Sequence, residues 1–214
     1  MKIQAVIFDL DGVIVTTDDC HYYAWKKMAD EEGIPFDRKV NERLRGVSRM
    51  ESLEIILEKA SKEYSQTEKE CLAMRKNNYY VEYIKELLPS AILPGVLENM
   101  GRLKKSGIKM AIGSSSKNTP LILRQIGLDR TFDAVADGNQ IKNSKPDPEV
   151  FLKAAELLGV VPESCLVVED ADAGIIAAKR AGMATLAVKG AEGGDYHSVG
   201  LDSIDLIDLL NEIQ

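Results

Sequence analysis

The sequence predicts an α/β protein, a doubly wound parallel sheet core with a helical domain inserted after the first strand. Three observations lead there. Short apolar runs recur along the chain and are apolar on successive residues, as in strands covered on both faces. Beyond residue 89, helical stretches that stop at glycine separate these runs. Residues 17–88 instead carry one helical pattern after another with no strand between them.

The first strand is "AVIF" (5–8). The insert holds "HYYAWKKMADEEG", "RMESLEIILEKASKEY" and "TEKECLAMRKNNYYVEYIKELL", and the prolines of "LPSAILPG" mark its return. Helix "GVLENMGRLKKSG" closes at Gly107, and strand "KMAIGS" (109–114) follows. Helix "NTPLILRQIG" opens on an Asn118 cap and closes at Gly127, before a weaker strand, "AVAD" (134–137). Helix "DPEVFLKAAELLG" has Pro148 at its start and Gly159 at its end. Strand "CLVVED" (165–170), helix "AGIIAAKRAG" and strand "ATLAVK" (184–189) complete the pattern. The domains read as 1–16 with 89–214 for the core and 17–88 for the helical insert.

Composition narrows the function. With 214 residues, 45% apolar and 29% charged, the chain has room for one good core with a smaller unit attached. Its 27 basic and 34 acidic residues give a net charge of -7, which argues against a general grip on nucleic acid or an acidic membrane. Any bound anion needs a local site. Cys20, Cys71 and Cys165 are widely spaced with no metal-ligand rhythm, as expected of reduced thiols. The apolar stretch in "MKIQAVIF" is too short for a signal peptide, so a cytoplasmic location is expected.

Open parallel sheets bind ligands outside the carboxyl ends of their strands, and those ends are unusually polar here. The first delivers Asp9 and Asp11, the second "GSSSKN" (113–118), and a later one Glu169 and Asp170, while Lys145 lies in the loop "NSKPDP". Four carboxylates together call for a cation, and an all-oxygen ligand set suits Mg²⁺. A carboxylate beside such an ion can act as a nucleophile on phosphorus, with a second carboxyl as acid and base. Plainer readings stand beside this one. "DLDG" also suits a turn, Glu169-Asp170 a helix cap, and Lys145-Pro146 a solvated lysine before a helix.

The ordered set "DLDGV", "GSSSKN", "SKPDP" and "VVEDADAG" resembles the haloacid dehalogenase-like superfamily of aspartate-nucleophile phosphotransferases, whose core is Rossmann-like. The insert is similar to the cap of the β-phosphoglucomutase family within it, through "HYYAWKKMADEEGI", "NERLRGVSRMESL" and "RKNNYY". The resemblance implies Asp9 as nucleophile and metal ligand, and Asp11 as acid and base whose carbonyl also ligates Mg²⁺. Glu169 and Asp170 complete the metal site, and Ser114 with Lys145 holds the transferring phosphoryl group.

Arg49 with Ser116, Lys117 and Asn118 would hold a second phosphate. His21 and Lys76 would link cap position to Asp11, Trp25 would line the sugar cavity, and Gly46, Val47 and Ser48 would lie along it. Without the resemblance, Arg49, Lys76 and Lys117 read as surface charges, Trp25 as core and His21 as a hydrogen-bonded structural histidine. One departure is Thr16, which stands where the family commonly has Asp, with Thr17 keeping the hydroxyl.

The implied activity is interconversion of β-D-glucose 1-phosphate and D-glucose 6-phosphate through β-D-glucose 1,6-bisphosphate, in a monomer with a small sugar phosphate as its partner. The alternatives are a sugar-phosphate phosphatase and a non-enzymatic phospho-aspartate module resembling a receiver domain. His197, in "GGDYHSVG", has no assigned role.

Overall fold

Strand β1 (Ala5–Phe8) is buried at every residue because it lies inside a parallel sheet with neighbours on both sides. The computed structural model describes residues 2–44 and 47–213. It divides into two compact units, Met1–Thr16 with Leu88–Gln214, and Thr17–Leu87.

The helical unit contains α1 (Asp18–Glu31), α2 (Arg38–Glu42), α3 (Arg49–Leu57) and α4 (Gln66–Lys85). Trp25, Met28, Phe36, Leu53, Ile56 and Leu72 fill its core. Fully burying one such side chain contributes about 1.5–3 kcal/mol. Helix α3 ends sooner than its sequence pattern implied. Arg43 clamps Glu58 through two 2.7 Å bonds, and Ser65 opens α4 with a capping box to Glu68, so the chain turns between them. Helix α2, unforeseen in the sequence, is capped by Asp37, whose carboxylate accepts from Val40 N at 2.9 Å.

The sheet unit continues with α5 (Val96–Lys105), β2 (Lys109–Gly113), α6 (Thr119–Gln125), β3 (Ala134–Ala136) and α7 (Glu149–Leu158). It ends with β4 (Cys165–Glu169), α8 (Asp172–Arg180), β5 (Ala184–Ala187), β6 (Tyr196–His197) and α9 (Leu206–Glu212). The six named strands pair in parallel, in the order β3-β2-β1-β4-β5-β6. Helix α7 packs on β1, β2 and β3, and α8 on β4 and β5. Beneath them lie Ile7, Phe151 and Val167.

Register is what builds the site. Phe8 pairs with Ile112 on one side and Val168 on the other, so Asp9, Gly113 and Glu169 form the next row at the carboxyl edge. The strands stop a little short of their apolar runs, which leaves Ser114, Asp137 and Asp170 as the first residues of loops. Asn118 does occupy the N-cap position of α6, but without a side-chain capping bond. Instead Thr119 Oγ1 donates to the Ser116 carbonyl at 2.9 Å. Among the described residues no helix is long and apolar enough to cross a membrane.

Candidate active site

At the carboxyl edge, the Lys145 ammonium bridges two carboxylates, donating to Asp9 Oδ1 at 2.5 Å and Glu169 Oε2 at 2.8 Å. Burial opposes its charge, but Asp9 and then Glu169 outweigh burial and hold Lys145 above the ordinary lysine value. The lysine therefore stays charged. It is not a solvated loop residue, since only 11% of its side chain is exposed. Glu169 is anchored from its other oxygen, which accepts from Asp170 N and Ala171 N, both at 3.2 Å. Helix α8 starts after Ala171, so neither Glu169 nor Asp170 stands at its N-cap position.

Two glycines let the carboxylates sit this close. Gly12 has φ +89°, and a Cβ there would lie 1.9 Å from Asp170 Oδ2. At Gly174, in the first turn of α8, a Cβ would lie 2.0 Å from Glu169 Oε2. The "DLDG" turn and "ADAG" helix start therefore serve close packing of acidic groups. Asp11, half-buried, bridges to Val15 on the same turn, where Gly12 N donates to the Val15 carbonyl at 2.7 Å.

Oxygens of Asp9, Glu169 and Asp170 all lie within 4.8 Å of one another. Burial first, then the charges of Asp9 and Asp11, push the Asp170 carboxyl up to about 7. Burial likewise raises Glu169, against the pull of Lys145. Carboxylates that resist ionisation because they are buried and crowded by one another, with only oxygen donors, fit a hard divalent cation such as Mg²⁺.

The β2 loop curls back on itself beside this cluster. Ser114 is buried and its hydroxyl accepts from Ser116 N at 3.2 Å, while the Ser116 hydroxyl accepts from Asn118 N at 3.2 Å. Lys145 N donates to Ser115 Oγ at 3.4 Å, which ties the two loops together. Lys117 is exposed, and its carbonyl accepts from Asn139 Nδ2 at 3.0 Å.

In the helical unit, Lys76 is 2% exposed and its ammonium donates to His21 Nδ1 at 2.8 Å. Burial, then Lys76 and Arg49, hold the His21 pKa well below its ordinary value. A neutral ring that accepts at Nδ1 carries its proton on Nε2. The same ammonium lies 4.7 Å from the ring centroids of both Trp25 and Tyr80. Trp25 is thus both core and partner to a cation. Arg49 Nη2 donates to Asn77 Oδ1 at 2.8 Å.

Ser48, expected along the cavity, forms the capping box of α3 with Glu51. Val47 is exposed, and Gly46 lies outside the described residues. Sequence reasoning passed over Tyr80, which is 2% exposed, stacks against His21 at 4.1 Å and pairs its hydroxyl with Thr17 Oγ1 at 3.0 Å. It also passed over Asn77. Both lie in "RKNNYY"; the i,i+4 helical spacing from Lys76 marks Tyr80, whereas Asn77, its immediate neighbour in the chain, carries no such signal. Thr16, at the departure from the family pattern, is exposed.

A model of the haloacid dehalogenase-like hydrolase family matches residues 3–182. The chain belongs to that family. Its relatives carry more than one named activity. It is 47% identical to the β-phosphoglucomutase of Bacillus subtilis (strain 168), over 86% of this chain and 83% of that protein. It is 36% identical to a phosphorylated carbohydrates phosphatase of Thermotoga maritima, over 84% of this chain and 82% of that protein. The crystal structure of a β-phosphoglucomutase from Clostridium difficile superposes with a TM-score of 0.87 at 41% identity, covering 99% of this chain and 98% of that one.

Proposed function

We propose that the chain interconverts β-D-glucose 1-phosphate and D-glucose 6-phosphate by way of phosphorylated Asp9. The observation that carries this reading is the 47% identity to a named β-phosphoglucomutase across most of both chains. The geometry of the sheet unit supports the chemistry.

Asp9 presents a carboxylate whose other interactions are with a permanently charged lysine. An Asp9 oxygen attacks the phosphorus of a phosphoryl donor, and the bond to the departing oxygen breaks as Asp11 gives that oxygen a proton. The phosphorylated Asp9 then transfers its group to the 6-hydroxyl of β-D-glucose 1-phosphate, and Asp11 takes back the hydroxyl proton. The resulting 1,6-bisphosphate turns over, its 1-phosphoryl group passes to Asp9 as Asp11 returns the proton to the anomeric oxygen, and D-glucose 6-phosphate leaves. Lys145 and Ser114 hold the moving phosphoryl group, and Arg49 of the helical unit is the residue proposed for the other phosphate.

Asp9, Asp170 and the Asp11 carbonyl, with Glu169 beside them, would hold Mg²⁺. The ion would supply positive charge that offsets repulsion between the attacking carboxylate and the phosphoryl oxygens.

A phosphatase acting on the same sugar phosphates is the second reading, and the Thermotoga maritima relative favours it. The test mixes the protein with Mg²⁺, β-D-glucose 1-phosphate and a trace of the 1,6-bisphosphate, and follows glucose 6-phosphate and free phosphate together. Glucose 6-phosphate rises without matching phosphate, and Asp9→Asn abolishes it. Free phosphate without glucose 6-phosphate establishes the phosphatase instead.

A further inference from the structure

Lys145 reaches the carboxylate cluster from residues 137–148, a loop between β3 and α7 with no helix or strand of its own. An ammonium held between Asp9 and Glu169 is only as well placed as the backbone that carries it. That backbone is fastened on both sides of Lys145. Before it, the Glu149 carboxylate accepts from two consecutive amides, Lys142 N at 2.9 Å through Oε1 and Asn143 N at 2.8 Å through Oε2. After it, the Pro146 carbonyl accepts from Arg180 Nη1 at 2.9 Å. Glu149 is the first residue of α7, and its own N–H donates to Asp147 Oδ1 at 3.0 Å. Because α7 packs on β1, β2 and β3, the Glu149 clasp ties the lysine loop to the sheet whose first strand leads into Asp9. An acid in the first turn also complements the helix dipole, a plainer role that needs charge but not reach. Pairing with two amides needs both.

We propose that Glu149 is a positioning residue for Lys145, clasping residues 142 and 143 so that the ammonium stays between Asp9 and Glu169 to meet the moving phosphoryl group. This inference rests on the phosphoryl transfer to Asp9 proposed above.

The test is a double-mutant cycle on kcat/KM for acetyl phosphate with Mg²⁺, read as donor consumed over hours above an Asp9→Asn blank. Glu149→Gln keeps the length but offers one acceptor oxygen, and Glu149→Asp keeps the charge but is one carbon shorter. Each lowers kcat/KM about tenfold at a temperature well below Tm, as misplacement of a group at the reacting centre does. In the Lys145→Ala background the same substitutions change the residual rate by less than about twofold, because the residue they act through is gone. A crystal structure of Glu149→Gln shows the Lys145 ammonium drawn out of hydrogen-bond distance of Asp9 or Glu169. Losses that multiply in the double variants, a loss in Glu149→Gln but not in Glu149→Asp, or an ammonium still in place in the crystal overturn the proposal. A wild type that consumes no more acetyl phosphate than Asp9→Asn overturns the phosphoryl-transfer reading itself, and is seen before any Glu149 variant is compared.

Discussion

The two units hold buried cations by different means. At the edge of the sheet, Lys145 is matched by the carboxylates of Asp9 and Glu169, within a cluster that also contains Asp170. In the helical unit, Lys76 is met by a neutral imidazole and by the faces of Trp25 and Tyr80. Arg49, exposed on the same unit, donates to the neutral amide of Asn77. The first arrangement crowds buried carboxylates together, and burial, then the charges of Asp9 and Asp11, raise the Asp170 carboxyl. The second uses dipoles and ring quadrupoles, which hold a cation without cancelling its charge. A cation plus a phosphoryl group suits the former, and a bare phosphate suits the latter.

The sharpest way to break this comparison is Arg49→Ala. If the helical unit serves the phosphate that is not being transferred, kcat/KM for β-D-glucose 1-phosphate falls about 100-fold, the scale of a lost charge-assisted bond to phosphate. Phosphorylation of Asp9 by acetyl phosphate, which has no second phosphate, stays within about twofold. Equal losses in the two reactions would remove the division of labour.

A second probe sharpens the account of the sheet edge. The Asp170 carboxyl, ordinarily near 3.8, is raised to about 7 in the fold by burial and by Asp9 and Asp11. The sign follows from proton binding. Between those values the unfolded chain releases a proton that the native state keeps, so metal-free stability falls as pH rises through that window. Full expression of the shift would amount to about 4 kcal/mol, and the partial exposure of Asp170 reduces this to about 2 kcal/mol. A divalent cation takes the place of the proton. Mg²⁺ therefore raises Tm several degrees more at pH 8 than at pH 5, measured by scanning calorimetry. An equal rise at both pH values would mean that the ion binds elsewhere.

The comparison also explains what could be read in advance. The sheet-edge groups follow apolar runs or sit in short Gly- and Pro-marked loops, so order along the chain was enough to collect Asp9, Lys145, Glu169 and Asp170. Strand register then does the rest. His21 and Lys76 are 55 positions apart on α1 and α4, and only packing of those helices brings them together. Burial of Lys76 was illegible because lysine is ordinarily exposed, and its aromatic surroundings come from two helices. The early end of α3 was hidden by continuous helix-forming residues up to Tyr64. It is betrayed only by Ser65 and Glu68, a capping box that opens the next helix. Strand β6 has two residues and no apolar run, so no periodicity announced it.

Ser48 tests the smallest claim. Placed along a cavity by resemblance, it instead accepts from Glu51 N at 3.3 Å, while Glu51 accepts from Ser48 N at 2.9 Å. This satisfies two otherwise unpaired donors at the start of the helix that carries Arg49. Ser48→Ala therefore costs about 1 kcal/mol of stability and lowers Tm by about 2–4 °C. Ser48→Asp, which restores an N-cap acceptor, recovers most of that loss. KM for the sugar phosphate moves little in either variant, because the hydroxyl serves the helix. If Ser48→Ala instead leaves Tm unchanged and raises KM, the hydroxyl belongs to the substrate. The helical unit would then bind with a neutral donor as well as with its cations, which blurs the contrast between the two units.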